Sequence, residues 1–210
     1  MKRFEIIFLP ILFVGIAKAQ VYPVATMNIR AVKICNQTWM VKNLDVDHYR
    51  NGDKIPEVKD SAKWTKLTTG AWCYYKNDPA YGAVYGKLYN WFAVNDPRGL
   101  APLGWHIPSV TEFKVLTDCL GGDSIAGGKM KESGTTHWNS PNNFATNSSG
   151  FTGLPGGSRN FDAIFNVIGD VGVLWSSSYN WTYYLHKYNG KLFKFSDNKR
   201  TGFTVRCIKD

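Results

Sequence analysis

Residues 101–113, APLGWHIPSVTEF, contain the clearest local folding signal in the chain. Ser109 and Glu112 form the Ser-x-x-Glu pattern of a capping box. In such a box the hydroxyl accepts a hydrogen bond from an amide of the first helical turn, and the carboxylate accepts one from the amide of the cap residue. Apolar residues then recur on one helix face as far as Leu120, and Gly121-Gly122 favours a helix end. The stretch therefore predicts a helix that begins after Ser109.

His106 lies just before this helix and raises the question of catalysis. General acid–base chemistry needs a carboxylate or nucleophile within reach of the imidazole. The nearby acidic residue, Glu112, is accounted for by the cap. We therefore interpret Trp105–Pro108 as a buried corner that leads into the helix, with His106 in a structural role.

The first half of the chain mixes strand and helix patterns. Residues 29–46 alternate polar and apolar side chains around Asn36-Gln37, which predicts a strand pair. A short helical turn is predicted around Ser61–Lys66, and GAWCYYKND (70–78) predicts a strand that ends in a turn. The segment VYGKLYNWFAVND (84–96) has apolar residues at three- and four-residue steps, so it predicts an amphipathic helix.

After Gly122 the pattern changes to short β-like runs separated by Gly, Asn, Ser and Pro. Such runs predict antiparallel sheet with long loops. Helices early and strands late predict an α+β domain, with both ends of the domain in the sheet.

The first residues have the layout of a secretory signal peptide: Lys2 and Arg3, an apolar run over 4–16, and Ala17-Lys18-Ala19. The run is shorter than the roughly 20 residues that a spanning helix needs. We therefore expect a signal peptide over 1–19 and a single domain over 20–210 with its core at about 30–210. The mature chain is expected to have no membrane span and to be secreted or held at the cell surface.

The formal net charge is +9, and the basic residues are scattered with no run beyond Lys199-Arg200. This distribution does not form the clustered basic patch of a nucleic-acid-binding protein, so no nucleic-acid partner is predicted. The four histidines form no His-Glu-x-x-His or comparable metal spacing. The sequence therefore predicts neither a metal site nor a cofactor.

The chain has four cysteines, Cys35, Cys73, Cys119 and Cys207. In a chain routed to an oxidising compartment they predict two disulfides, and four cysteines allow three pairings among which spacing does not choose. No pair has Cys-x-x-Cys spacing, so neither a zinc ribbon nor a thioredoxin-like site is indicated.

Seven segments in order, NQTWMVKNLD, GAWCYYKND, YGKLYNWFAVND, APLGWHIPSVTEFKVL, GFTGLPGGSRNFD, LWSSS and GFTVRCIKD, resemble the Fibrobacter succinogenes major paralogous domain. The resemblance covers roughly residues 30–210. It implies a C-type lectin-like fold, with two helices packed on a twisted antiparallel sheet with long loops. IPSVTEF and GGSR are also similar to segments of formylglycine-generating-enzyme-like proteins. The family is known mainly as secreted or surface domains of bacteria.

The resemblance also bears on the disulfides. Cys73 and Cys207 fall where family members often carry cysteine, whereas Cys35 and Cys119 fall at positions expected to hold a glycine and an aromatic residue. This favours the pairs Cys73–Cys207 and Cys35–Cys119, with the other connectivities left open.

Known catalytic patterns are incomplete in this chain. GGSRN (156–160) lacks the last glycine of a nucleophile elbow. Enzymes that oxidise cysteine in sulfatases use a reactive cysteine pair late in the chain, and here only Cys207 follows Cys119. HWNSPNN (137–143) has no carboxylate where calcium-dependent lectins supply one. We therefore expect no catalytic residues.

Two late segments, SRNFD (158–162) and SYNWTYY (178–184), combine aromatic, amide and basic side chains on predicted loops. The candidate contact residues are Arg159, Asn160, Phe161, Tyr179, Asn180, Trp181 and Tyr183. The leading hypothesis is a non-catalytic binding domain for a surface glycan or protein. The alternatives are an enzyme distantly similar to the formylglycine-generating group, acting through Cys207 or a histidine, and a structural component of the cell envelope.

Overall fold

The computed structural model describes residues 29–210, so the predicted signal peptide over 1–19 lies outside the described residues. The described chain forms five α-helices and eleven strands, an α+β composition. The helices are α1 (Ser61–Trp64), α2 (Pro79–Tyr85), α3 (Trp91–Val94), α4 (Val110–Cys119) and α5 (Asp123–Met130). The strands are β1 (Ala31–Ile34), β2 (Gln37–Met40), β3 (Trp72–Cys73), β4 (Leu88–Tyr89), β5 (Trp105–His106), β6 (Ser158–Arg159), β7 (Phe165–Asn166), β8 (Val171–Trp175), β9 (Trp181–His186), β10 (Leu192–Ser196) and β11 (Ile208–Lys209).

The first sheet has four antiparallel strands in the order β1-β2-β11-β5. Ile208 of β11 pairs with Trp39 on one side and with His106 on the other. The first hairpin and the last strand of the described chain therefore lie side by side, as predicted. The corner before α4 belongs to the same sheet through β5.

The second sheet has three antiparallel strands in the order β10-β9-β8. Two further pairs, β3 with β4 and β6 with β7, form separate two-stranded sheets. Isolated bridges join β4 and β8 to the irregular segment 203–204: Tyr89 pairs with Phe203, and Leu174 pairs with Thr204. Much of the chain between the strands is irregular, so many of its backbone groups need partners other than a neighbouring strand.

Aromatic side chains fill the interior in separate clusters. One cluster contains Trp72, Tyr89, Trp175 and Phe203, and another packs α4 and α5 against the first hairpin through Trp39. The buried aromatic side chains include Trp39, Trp72, Trp91, Trp105 and Trp175.

Three cationic side chains, Lys131, Arg159 and Arg206, are almost fully buried and have no carboxylate partner within the described chain. Lys131 Nζ donates to the carbonyls of Asn143 at 2.7 Å and His186 at 3.0 Å, and burial lowers its pKa to about 8. These cations therefore act as interior donors to main-chain carbonyls, most of which lie outside the strands.

Arg206 does the same for the loop before β6. Its guanidinium donates to the carbonyls of Phe151 and Thr152 and to Asn43 Oδ1, the last at 2.8 Å from Nη2. The guanidinium also lies over the Phe151 ring, 4.3 Å from the centroid. One side chain near the end of the chain thus connects a late loop with the segment that follows the first hairpin.

Several predicted elements are confirmed. The hairpin forms over 31–40, α1 forms at Ser61, and α4 begins at Val110 behind a complete capping box. The expectation of two helices is wrong within residues 29–210, because five short helices form.

The helix predicted over 84–96 is also wrong. Gly86 ends α2 with φ of 74°, and Leu88 and Tyr89 form β4, before α3 begins at Trp91. The cause is tertiary pairing, because the backbone of Tyr89 bonds to Phe203 in both directions, at 2.9 and 3.0 Å. Amphipathic spacing without that contact favours a continuous helix.

One predicted disulfide forms and the other does not. Cys35 and Cys119 are bonded, with Cα atoms 6.6 Å apart, and they tie the first hairpin to the end of α4. Cys73 and Cys207 are unpaired and buried, so the predicted Cys73–Cys207 bond is wrong. The two thiols belong to different core clusters, where each packs as a small apolar side chain.

Thiol titration tests this cysteine assignment. Burial raises the pKa of Cys73 to about 12 and raises that of Cys207 as well, so neither thiol should react in the native protein. In denaturant without reductant two thiols should react, and after reduction four. If no thiol reacts in denaturant without reductant, Cys73 and Cys207 are bonded and the assignment is wrong.

The Cys35→Ser/Cys119→Ser variant should lower the free energy of unfolding by about 2–5 kcal/mol, because the bond closes a long loop in the unfolded chain. Urea denaturation of oxidised wild type and variant measures the difference. The Cys73→Ala variant is the control and should retain an oxidation-dependent difference in stability.

Candidate functional site

The late segments meet around a loop formed by residues 197–200, here called the Asp197 loop, which follows β10. Asn180 Nδ2 donates to Ser196 Oγ and to the carbonyl of Asp197, both at 2.9 Å. The amide of Asp197 donates back to the carbonyl of Asn180 at 3.0 Å. Asn180, a predicted contact residue, therefore fixes the start of this loop.

A cavity of about 410 Å³, here called the aromatic depression, lies on one side of the Asp197 loop. Phe161 is about half exposed there, and Asn160 lines the same cavity. The full lining is Ser158, Asn160, Phe161, Asn166, Val167, Val173, Tyr184, Ser196, Asp197, Asn198, Thr201 and Phe203. Aromatic faces, amides and one carboxylate are thus combined in one concave surface.

The Asp197 carboxylate is held in place by two hydroxyl groups. Its Oδ2 accepts hydrogen bonds from Thr182 Oγ1 and, at 2.9 Å, from the Tyr184 hydroxyl. Burial and the neighbouring Asp197 charge raise the pKa of Tyr184, which keeps the phenol protonated as a donor. Within residues 29–210 Oδ1 has no hydrogen-bond partner, so the carboxylate is fixed through one oxygen and available through the other.

A second cavity of about 420 Å³, here called the basic depression, also borders the Asp197 loop. It is lined by Lys66, Leu67, Thr68, Phe92, Asn180, Asp197, Asn198, Lys199 and Arg200. Asp197 and Asn198 line both cavities, so the two depressions are neighbours that the loop separates.

Five of the seven predicted contact residues lie at this surface or next to it. Asn160 and Phe161 line the aromatic depression and Asn180 lines the basic depression. Tyr179 is 64 % exposed and contacts the Trp91 ring, with centroids 5.4 Å apart. Trp181 is partly buried, with Lys194 Nζ 4.5 Å from its ring centroid.

Arg159 is not a surface contact residue, although the sequence suggested it. It is fully buried and donates to the carbonyls of Val58 at 2.6 Å and Lys59 at 2.9 Å. Its guanidinium also lies 4.4 Å from the Trp64 ring centroid. Arg159 therefore holds the loop before α1 against β6, and Asn160 and Phe161 follow it directly in the chain.

Tyr183 is also buried, because successive side chains of β9 face opposite sides of the sheet. Its ring stacks on Phe113 of α4 at 3.9 Å between centroids. The next residue, Tyr184, faces the aromatic depression. Strand alternation in SYNWTYY is the signal that distinguishes the two tyrosines. Asp197 is followed by Asn198, and Asp-Asn is typical of a turn, so residue type alone does not single out Asp197.

His106 has a different environment from the expected buried corner. Its Nε2 lies 2.6 Å from Glu112 Oε1, and its Nδ1 lies 2.6 Å from Asp210 Oδ1. Glu112 Oε2 meanwhile accepts from the amide and the hydroxyl of Ser109, both at 2.8 Å. The expectation that the capping box leaves no free oxygen on Glu112 is therefore wrong. Oε2 of Glu112 accepts the hydrogen bonds of the cap, and Oε1 bonds to the imidazole of His106.

Burial lowers the pKa of His106, but hydrogen bonds to Glu112 and Asp210 outweigh it, so the pKa is raised from 6.5. Both ring nitrogens are held by carboxylates, and the Ser109 hydroxyl bonds to Glu112 and not to the imidazole. The geometry is that of a charged clamp between the corner, α4 and the end of β11. A serine–histidine pair of the kind that activates a nucleophile is not formed here.

In the part of the chain that the structure describes, His, Cys, Asp and Glu form no group of three or more that could hold a metal ion. A search of residues 29–210 likewise found no helix long and apolar enough to cross a membrane.

Fold and site together define the class: an α+β domain whose late loops form a concave aromatic and polar surface. The chain belongs to the Fibrobacter succinogenes major domain family, whose family model matches residues 32–209. Searches of curated proteins and of solved structures gave no match.

The clamp at His106 predicts a pH-dependent contribution to stability. A raised histidine pKa gives stability that is fully present below the unfolded value of 6.5 and is lost as pH rises through the folded value. Burial raises the pKa of Glu112, but hydrogen bonds to Ser109 and His106 outweigh it, so the pKa is lowered from 4.5. A lowered carboxyl pKa gives stability that is fully present above 4.5 and is lost as pH falls through the folded value.

The His106→Gln variant should therefore differ most from wild type between pH 4.5 and 6.5, and less at about pH 9. The partly exposed pairs should contribute roughly 0.5–1 kcal/mol. Urea denaturation across this range measures the difference. A difference that does not change with pH would show that the imidazole is not charged in the folded protein.

Arg159→Met should lower the free energy of unfolding by about 2–4 kcal/mol, because it removes the hydrogen bonds of a fully buried guanidinium to the Val58, Lys59 and Ala163 carbonyls and its packing over the Trp64 ring. Arg98→Met is the matched control. Arg98 is exposed and paired with Asp96 and Asp53, so its loss should cost about 1 kcal/mol or less. Equal losses in the two variants, measured by urea denaturation, would contradict the assignment of Arg159 as a structural residue.

Proposed function

We propose that this chain is a secreted or cell-surface bacterial domain of C-type lectin-like fold that binds a glycan, without catalysis, at the aromatic depression. Support for the fold comes from the β1-β2-β11-β5 sheet, in which the last described strand lies beside the first hairpin, and from the second antiparallel sheet with long loops. Membership of the family supports the same architecture.

One observation carries the proposal for binding: Phe161 and Tyr184 share a cavity with the fixed Asp197 carboxylate and the Asn160 amide. The C–H faces of a sugar ring pack against aromatic side chains, and its hydroxyls bond to carboxylate and amide oxygens. Binding sites of this kind combine an apolar lining with a few placed polar groups. The Asp197 Oδ1 atom is such a group, because no protein donor uses it.

A non-catalytic role is supported by the state of the reactive side chains. Burial raises the pKa of Cys73 and of Cys207, which disfavours the thiolate that a nucleophile needs. The imidazole of His106 is held between two carboxylates at 2.6 Å. The enzyme hypothesis, which required Cys207 or a histidine, therefore has weaker support than binding.

Export from the cytoplasm is supported by the Cys35–Cys119 disulfide, because such bonds persist in oxidising compartments and are rare in the bacterial cytosol. The amino-terminal layout of a signal peptide points in the same direction.

A glycan array with the purified domain tests the binding proposal. The wild-type domain should bind at least one class of glycan on the array. Phe161→Ala and Asp197→Asn should each weaken this binding about tenfold, which corresponds to about 1.4 kcal/mol. Phe144→Ala is the matched control, because Phe144 is 71 % exposed and does not line either depression. Its affinity should equal that of wild type.

Two results would overturn the proposal. One is a wild-type domain that retains no glycan, including the case in which a pull-down retains a protein partner instead. The other is an equal loss of affinity in Phe161→Ala and Phe144→Ala. Urea denaturation of each variant verifies that a loss of binding is not a loss of folding.

A further inference from the structure

The basic depression contains three cations that no carboxylate neutralises. Among the ion pairs of residues 29–210, none includes Lys66, Lys199 or Arg200. The one acidic residue in the lining is Asp197, whose Oδ2 is already bonded to two hydroxyl groups. The local charge of this cavity is therefore positive.

Two of these cations are held in position by groups that carry no formal charge. Lys199 Nζ lies 4.2 Å from the centroid of the Tyr179 ring and 4.9 Å from that of the Trp91 ring. Arg200 Nη1 donates to the carbonyl of Thr65. Aromatic faces and a carbonyl restrict the two side chains without cancelling their charge, so an anion gains attraction at a smaller cost in side-chain ordering.

The charge differs between the two sides of the Asp197 loop. Three cations line the basic depression, whereas Asp197 is the one charged residue that lines the aromatic depression. Because Asp197 and Asn198 line both cavities, the cavities are adjacent, and a ligand that contacts both would need more than one sugar ring. A ligand that matches both has a neutral, hydroxyl-rich part and an anionic part.

We propose that the ligand is an acidic glycan, with a uronate carboxylate in the basic depression beside Lys199 and Arg200 and a neighbouring ring against Phe161 in the aromatic depression. This inference rests on the proposed glycan-binding function and specifies its ligand class. The ammonium and the guanidinium donate charge-assisted hydrogen bonds to the carboxylate. Asp197 Oδ1 accepts from a hydroxyl of the neutral ring.

The test compares uronate oligosaccharides with their carboxyl-reduced counterparts, which keep the ring and lose the charge. Titration calorimetry of the wild-type domain should give at least tenfold tighter binding of the acidic form. That preference should decrease as salt concentration rises. In the Lys199→Gln/Arg200→Gln variant, the affinity for the acidic form should fall to about that for the reduced form.

The matched control is Lys33→Gln/Lys76→Gln, which removes the same net charge at two exposed lysines outside both depressions. It should keep the preference for the acidic form. An equal loss of preference in both double variants would overturn the inference, because it would show attraction by overall charge and no specific site.

The remaining outcomes separate this inference from the proposed function. Equal wild-type affinity for acidic and reduced forms, with both weakened by Phe161→Ala, overturns the acidic ligand and leaves glycan binding in place. Absence of binding to every glycan, acidic or neutral, overturns the proposed function and the inference together.

Discussion

The structure depends on buried cations that hydrogen-bond to the carbonyls of irregular loops. Lys131, Arg159 and Arg206 each donate to main-chain oxygens from inside the protein, and each lies over an aromatic ring. A buried carbonyl without a donor costs about 1–3 kcal/mol, so a domain with so much irregular backbone needs such donors. The cations thus do for the loops what neighbouring strands do for a sheet.

The same arrangement explains why the late loops are suitable for recognition. Arg159 fixes β6 to the loop before α1, and Asn160 and Phe161 follow it directly in the chain. Asn180 fixes the start of the Asp197 loop through hydrogen bonds to Ser196 and Asp197. These hydrogen bonds order the loops without a ligand, and at the proposed glycan site this would reduce the conformational entropy lost on binding.

Local patterns in the sequence predicted the elements that depend on neighbours in the chain. The capping box at Ser109 and the hairpin at 31–40 are confirmed because each is stabilised within a few residues. The helix expected over 84–96 fails because Tyr89 pairs with Phe203, a contact that chain spacing does not encode. The surface assignment of Arg159 fails for the same reason, since its burial depends on Val58 and Lys59 far away in sequence. Tyr183 differs, because strand alternation within β9 is a local signal that separates it from Tyr184.

A cationic side chain packed on an aromatic ring occurs both inside the protein and at its surface. The two settings differ in whether the cation also has a hydrogen-bond acceptor, and this difference supports the proposed anion site. Inside, Arg159 lies over Trp64, and carbonyls accept its hydrogen bonds. At the surface, Lys199 lies over Tyr179 and Trp91, but within the described chain no acceptor takes its ammonium hydrogens. A cation held by aromatic faces and left without an acceptor is a preorganised donor for an anion. The interaction that stabilises the interior therefore also positions the charge that would select a ligand.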